Sequence, residues 1–355
     1  MTNLDDERSF SSLDSGNMAA QIAGFPDACA AAWEQAQSVS LPPAYRAVSS
    51  VVVFGMGGSA ISGDLARTLG SNMASVSIEV VRGYHVPGYV DNKTLAVAIS
   101  FSGDTEETLV AFDAAAQKTT QQIVIAGGGA LQARAQGSGI PHYPIRNVRK
   151  QPRTALPHLY MPVLHALSAL GIIFCPSAAV LEAIQFVAEQ APKFDVTVPE
   201  RRNPAKQLAR ALHGRIVSIY GAEFLSEVAR RWKTQINENS KQWAEFEHLP
   251  EANHNAVVGF GHPAANTSVL QVVQLQSSLY HNRTRFRMEV TRELLKTSAI
   301  AGETITVQGP TPLAQQLYGT LLGDYVSYYL ALLNDVDPTP VANIEFVKSQ
   351  LTSAM

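Results

Sequence analysis

Two clusters of small hydroxyl residues and glycine carry the clearest chemical signal in the chain. They read Phe54-Gly-Met-Gly-Gly-Ser-Ala-Ile-Ser-Gly63 and Ser100-Phe-Ser-Gly-Asp-Thr-Glu-Glu-Thr108, about 45 residues apart. Each follows a short apolar run, Val51–Phe54 or Leu95–Ser100, and each opens a segment with helical spacing. A strand, a tight turn and a helix N-terminus in succession aim free N–H groups and the positive end of the helix dipole at one spot, an anion cradle. Glycines 57 and 58 allow the turn, and the hydroxyls of Ser59, Ser100, Ser102 and Thr105 add donors without bulk or charge. Either loop alone is equally well read as turn chemistry; two on one sheet point to a phosphorylated small molecule held between them. No Gly-Lys-Ser/Thr follows the glycines. Glu79, the only acidic candidate for a dinucleotide fingerprint, lies before the end of its run Val76–Val81. A monophosphate fits this cradle better than a nucleotide.

Four further residues are candidates for proton or charge chemistry. Glu238 lies in a segment whose apolar stripe is Phe224, Leu225, Val228, Trp232, Ile236 and Trp243, and it sits roughly 115° from the centre of that stripe at 100° per residue. It should therefore face a cleft or an interface. The amides of Asn237 and Asn239 flank it, able to orient a general base without an adjacent cation. Spacing alone leaves a solvated helix glutamate as the better reading. His254, in Asn253-His254-Asn255, is the second candidate for proton exchange near neutrality. Nine histidines are present, and no His/Glu spacing suggests a metal site. Lys348, on position, reads as a solvated lysine of the last helix. Arg153, in Gln151-Pro-Arg-Thr-Ala155, has three open readings: pairing with a phosphate, stabilising an enediolate, or capping the next helix.

The elements that must position these residues follow from the rhythm of the chain. Strand-like runs at 50–54, 76–81, 94–99 and 122–126 alternate with helical stretches, the pattern of a doubly wound parallel sheet. A helical block covers 155–190, and the rhythm restarts at Arg215–Gly221, about 166 residues after its first appearance. This weak repeat predicts an α/β protein of two lobes, 49–190 and 205–355, preceded by an N-terminal extension and helix over 1–48. Runs at Ala256–Phe260, Thr284–Val290 and Thr304–Val307 are expected to complete the second sheet. Leu313–Leu333 is expected as a long C-terminal helix, and Val341–Leu351 as the last one.

With 355 residues, 46% of them apolar, the chain can bury a large core. A net charge of −3 gives no electrostatic reason to expect nucleic acid or an anionic membrane as partner. Two cysteines far apart, Cys29 and Cys175, suggest neither a disulfide framework nor zinc. The start, Met1-Thr-Asn-Leu-Asp-Asp-Glu-Arg8, is unlike a signal peptide, and the longest apolar stretch, near Val163–Phe174, is too short to span a bilayer. The expectation is a cytoplasmic protein.

The order GMGGSAISGD, SFSGDTEET, QPR, ARRWKTQINENSK, ANHN and DPTPVANIEFVK resembles the bifunctional phosphoglucose/phosphomannose isomerase family of sugar isomerase (SIS) proteins, from about residue 50 to the C-terminus. The specific part is NENSK with NHN following, Glu238 and His254 being sixteen residues apart. The resemblance implies two SIS lobes, αβα sandwiches with doubly wound parallel sheets, in a homodimer with the active site between subunits. It implies metal-free, cofactor-free interconversion of glucose 6-phosphate or mannose 6-phosphate with fructose 6-phosphate. By motif, Gly57, Gly58, Ser59, Ser100, Ser102 and Thr105 would hold the phosphate. Glu238 would shuttle the proton between C1 and C2, and His254 would assist ring opening from the other subunit. Lys348 would act near the ring oxygen, Arg153 would stabilise the cis-enediolate, and Thr339 would line the sugar pocket and admit both epimers. Asp104 stands where many SIS loops have Asn; beside a phosphate it is unfavourable unless it turns away or caps a helix. Two rivals share the phosphate loops, a non-catalytic SIS sensor and another SIS aminosugar-phosphate enzyme. The first has no need of Glu238, His254 and Lys348 together and is disfavoured by the lack of a DNA-binding module. An amidotransferase of the second kind would need a glutamine-cleaving domain, and no such segment is recognisable.

Overall fold

A computed structural model describes the whole chain except residues 1, 7–9, 11, 147–150, 354 and 355. Two all-parallel sheets form, each wound outward from its first strand. In the first, β1 (Ser50–Phe54), β2 (Ser77–Val81), β3 (Thr94–Ser100), β4 (Gln122–Ala126) and β5 (His142–Pro144) lie in the order β2-β1-β3-β4-β5. In the second, β6 (Ile216–Ala222), β7 (Ala244–Leu249), β8 (Leu270–Gln276) and β9 (Ala301–Thr306) lie in the order β7-β6-β8-β9. The repeated order makes the two sheets variations of one winding. Strands β1, β3 and β4 are buried along their length, which is why they read as unbroken apolar runs.

In such sheets the winding direction reverses beside the first strand, and the crevice outside the strand C-termini there is the natural ligand site. In the first sheet that place lies between the ends of β1 and β3, where both Ser/Gly loops emerge. They lead into α1 (Gly57–Gly70) and α2 (Glu106–Ala116).

Helix α3 (Pro312–Leu333) is buried from Leu313 to Leu333, and it packs against α4 (Ser226–Ser240), the helix that carries Glu238. A helix apolar around most of its circumference belongs inside, not on a rim. Its Gln316 is satisfied across the lobes: Nε2 donates to the carbonyls of Leu65 and Phe224, and Oε1 accepts from Tyr160. The N-terminal helices Met18–Ala23 and Phe25–Gln37 bury Met18, Ile22, Phe25, Cys29 and Trp33 in the same core, with Trp33 Nε1 donating to Ser177 at 3.0 Å. No helix among the described residues is long and apolar enough to cross a membrane.

The second sheet corrects two expected strands. Ala256–Phe260 falls in a 3₁₀ turn with Val258 83% exposed, and Thr284–Val290 lies inside the helix Asn282–Thr297. Arg283, Arg285, Arg287 and Glu289 mimic strand alternation, yet the His281 side chain accepts the Arg283 N–H and starts a helix of long straight side chains. The true strand β8 hides its identity behind glutamines, of which Gln274 is buried with its amide donating to the Met288 carbonyl. The stripe of α4 also ends sooner than expected. The helix stops at Ser240, and Trp243 is 70% exposed.

Candidate active site

One cavity of about 360 Å³ gathers most of the predicted residues. Gly57, Gly58 and Ser59 line it from the start of α1, and Ser102 and Thr105 from the second loop. Arg153 and Glu238 form another wall, and Lys348 enters from the last helix, α5 (Ala342–Ser353). No side chain caps α1 or α2, so both helix N-termini face the cavity uncapped. Arg153, Arg231 and Lys348 set three cations against Glu107 and Glu238 there. Positive helix ends and surplus positive charge suit an anionic ligand.

The second loop is shaped by hydrogen bonds. Ser100 is fully buried; its hydroxyl accepts the Gly103 N–H and lies 2.8 Å from Thr105 Oγ1. It braces the loop and is not among the cavity's lining residues. Asp104 turns away, its carboxylate accepting the Ala130 N–H at the start of the helix Gly129–Ser138. Gly103 has φ +85°, and a Cβ there would lie 1.9 Å from the Gly128 carbonyl. Gly103→Ala should therefore cost about 1–3 kcal/mol of stability through the strained backbone alone. It should also weaken phosphate-ester binding, since the loop cannot keep Ser102 in place. Urea denaturation and calorimetric titration check both; unchanged values in both would show that the loop relaxes freely.

Glu238 points into the cavity, 30% exposed, with Oε2 3.6 Å from Arg153 Nη1. The flanking amides do not orient it, contrary to expectation. Asn237 exchanges two bonds with the Ala244 main chain, at 3.0 and 2.8 Å. Asn239 Oδ1 accepts from Arg153 Nε at 2.9 Å, while its Nδ2 donates to Ser327. The adjacent cation that the local sequence lacked is supplied by Arg153, a chain neighbour of neither. Arg153 is buried, and its Nη2 donates to the carbonyls of Pro338 at 3.0 Å and Thr339 at 2.6 Å. Burial pushes its pKa down, and Glu238 opposes the shift.

Sequence reasoning passed over Arg231, Thr234 and Gln235, which line the same cavity. They precede Glu238 by seven, four and three residues, so one face of α4 carries all four; that spacing was the available signal. Arg231 and Gln235 are buried on Asp324 of α3, whose carboxyl is pushed up by burial and pulled back by Arg231. Arg231 also donates to the Arg153 carbonyl.

An ionic cluster fixes α1 to α4. Fully buried Glu227 of α4 accepts from Arg67 of α1 at 2.8 Å and pairs with Arg230 at 2.7 Å, while Asp64 of α1 pairs with Arg82. Burial first, then Asp64, raises the Glu227 pKa.

Besides Ser100, two candidates are not among the cavity's lining residues. His254 is exposed on the turn Glu251–His254 and does not line it. Thr339 contributes its carbonyl to Arg153, but its side chain lies against Gly16, and Oγ1 is buried without a hydrogen-bond partner. Among the described residues, no group of three or more His, Cys, Asp or Glu is placed to hold a metal ion.

Residues 201–351 match the model of the bacterial phospho-glucose isomerase C-terminal SIS domain. A bifunctional phosphoglucose/phosphomannose isomerase of Caldicellulosiruptor bescii is 36% identical over 331 residues, 93% of this chain and 97% of the relative. One of Aquifex aeolicus is 32% identical, covering 85% and 90%. The fold is similar to the crystal structure of a hypothetical protein of Thermus thermophilus, with a TM-score of 0.74 at 15% identity, covering 98% of this chain and 93% of that one.

Proposed function

The chain belongs to the bifunctional phosphoglucose/phosphomannose isomerase family, and we propose that its cavity interconverts glucose 6-phosphate and mannose 6-phosphate with fructose 6-phosphate. The observation that carries this reading is the meeting, in one cavity, of an uncapped Ser/Gly phosphate cradle with the Glu238–Arg153 pair. A sugar phosphate anchored by Gly57, Gly58, Ser59, Ser102 and Thr105 presents its open-chain carbonyl end toward Glu238. The Glu238 carboxylate takes the proton from C2 of the aldose; the resulting cis-enediolate carries its negative charge beside the Arg153 guanidinium. The same proton, returned to C1 as the O2 hydroxyl proton passes to O1, gives the ketose. Glucose and mannose 6-phosphates differ only at C2, so both give one enediolate, and the reverse reaction depends on which face of C2 receives the proton.

Ring opening needs an acid or base near the ring oxygen. Lys348 lines the cavity and serves there, and His254, exposed on its turn, serves from a second copy of the chain in a homodimer. The test is turnover in EDTA, with each aldose phosphate supplied separately and fructose 6-phosphate detected. Both are expected to react, at rates EDTA does not change. Binding of either sugar phosphate without turnover would overturn the reading in favour of a sensor, and a loss restored by zinc would overturn its metal-free chemistry.

A further inference from the structure

The end of α4 is closed by a lysine that the proposed mechanism does not use. Lys241 takes the left-handed C-cap conformation, with φ 54°. Its Nζ donates to the carbonyls of Glu238 at 2.9 Å, Asn239 at 3.2 Å and Pro338 at 3.1 Å. Three ammonium protons thus meet three acceptors. Two of these are last-turn carbonyls left without an intrahelical partner; the third belongs to the loop 337–340. The same Pro338 carbonyl accepts from Arg153 Nη2 at 3.0 Å, and Thr339 supplies the next acceptor of that guanidinium. One carbonyl therefore bridges Lys241 and Arg153, while the helix end that Lys241 closes carries Glu238. Lys241 and Glu238 also wall a second cavity of about 350 Å³ under Pro340–Ile344, and Glu238 and Ile344 border both cavities.

We propose that Lys241 is a positioning residue: its ammonium docks the 337–340 loop onto the end of the base helix and holds Glu238 and Arg153 in register for proton transfer. The inference rests on the isomerase reading of the cavity. The charged groups facing the ammonium are Arg153, Asp337 and Glu238. Burial first, then Arg153, pushes the Lys241 pKa down from its ordinary 10.5 to about 8, with Asp337 and Glu238 opposing. Below that value the ammonium makes all three bonds. Above it a neutral amine has two donors and a lone pair that repels the third carbonyl. Activity should therefore fall as pH rises through about 8, where a solvated lysine would still be charged.

Lys241→Met and Lys241→Arg, compared with the wild type from neutral to alkaline pH, test this. Lys241→Met should lower kcat about 10–10²-fold with KM changed less than about twofold, the signature of misplaced catalytic groups and not of lost binding. Its remaining activity should lack the alkaline limb near pH 8. Lys241→Arg, charged throughout, should restore most of kcat and move the limb upward. Wild-type kcat with an unchanged limb in Lys241→Met, or an effect confined to KM, overturns the proposal. A crystal structure of Lys241→Met decides independently of turnover. Pro338 and Thr339 carbonyls displaced from Arg153 support the proposal, and unmoved carbonyls overturn it. A wild type inactive on both hexose phosphates would instead strike the isomerase reading.

Discussion

Glu238→Gln should lower kcat on both aldose phosphates by about 10²–10⁴-fold, the range expected for loss of a positioned general base. The substitution keeps the shape of the side chain and its place on the cavity wall, so substrate binding by the Ser/Gly cradle should persist. Stability should hardly change, because the carboxylate is 30% exposed and its ion pair with Arg153 is long, at 3.6 Å. Exchange of the C2 hydrogen with deuterated solvent, followed by NMR, isolates the proposed step from ring opening. It should disappear together with turnover. Continued exchange with isomerisation abolished would move Glu238 to another step, and near-normal turnover would remove it from the mechanism.

Much of this site was legible because the first sheet announces itself. Strands β1 and β3 are buried on both faces and read as apolar runs, and the residues after them must serve the crevice at the switch point. The orientation of Glu238 was legible too, as an angle from the apolar stripe of its helix. Its surroundings were not. Arg153 stands 85 residues away from it in sequence, and no local pattern shows that Pro338, Thr339 and Asn239 hold that guanidinium against the carboxylate. Asn237 and Asn239 illustrate the limit: adjacency suggested that they serve Glu238, whereas folding gives one to the Ala244 main chain and the other to Arg153. The second sheet was harder to read because its strands carry glutamine and glutamate, in β7 partly exposed and in β8 including Gln274, which is buried with its amide donating to the Met288 carbonyl. Arg231 was obscured in the same way. A cation on a cavity floor needs a buried partner, and Asp324 lies on a helix 93 residues further along the chain.

Arg153→Lys should lower kcat by about 10²–10³-fold, although it keeps the charge, because the effect resides in fixed geometry at a developing oxyanion. Arg153 reaches its position with a planar fork whose Nε meets Asn239 Oδ1 and whose Nη2 meets two carbonyls, leaving Nη1 toward Glu238. A lysine ammonium presents three protons at a single point and cannot reach acceptors on both sides while also facing the cavity. The loss should appear equally in kcat and kcat/KM if the guanidinium acts only on the enediolate. If Arg153 holds the phosphate instead, KM should rise and kcat stay near its normal value, and the cation for the enediolate would then have to be Arg231 or Lys348. Some destabilisation accompanies either case, since buried acceptors lose donors. Rates must therefore be compared below the melting transition of the variant, where a folded but slow enzyme is the expected result.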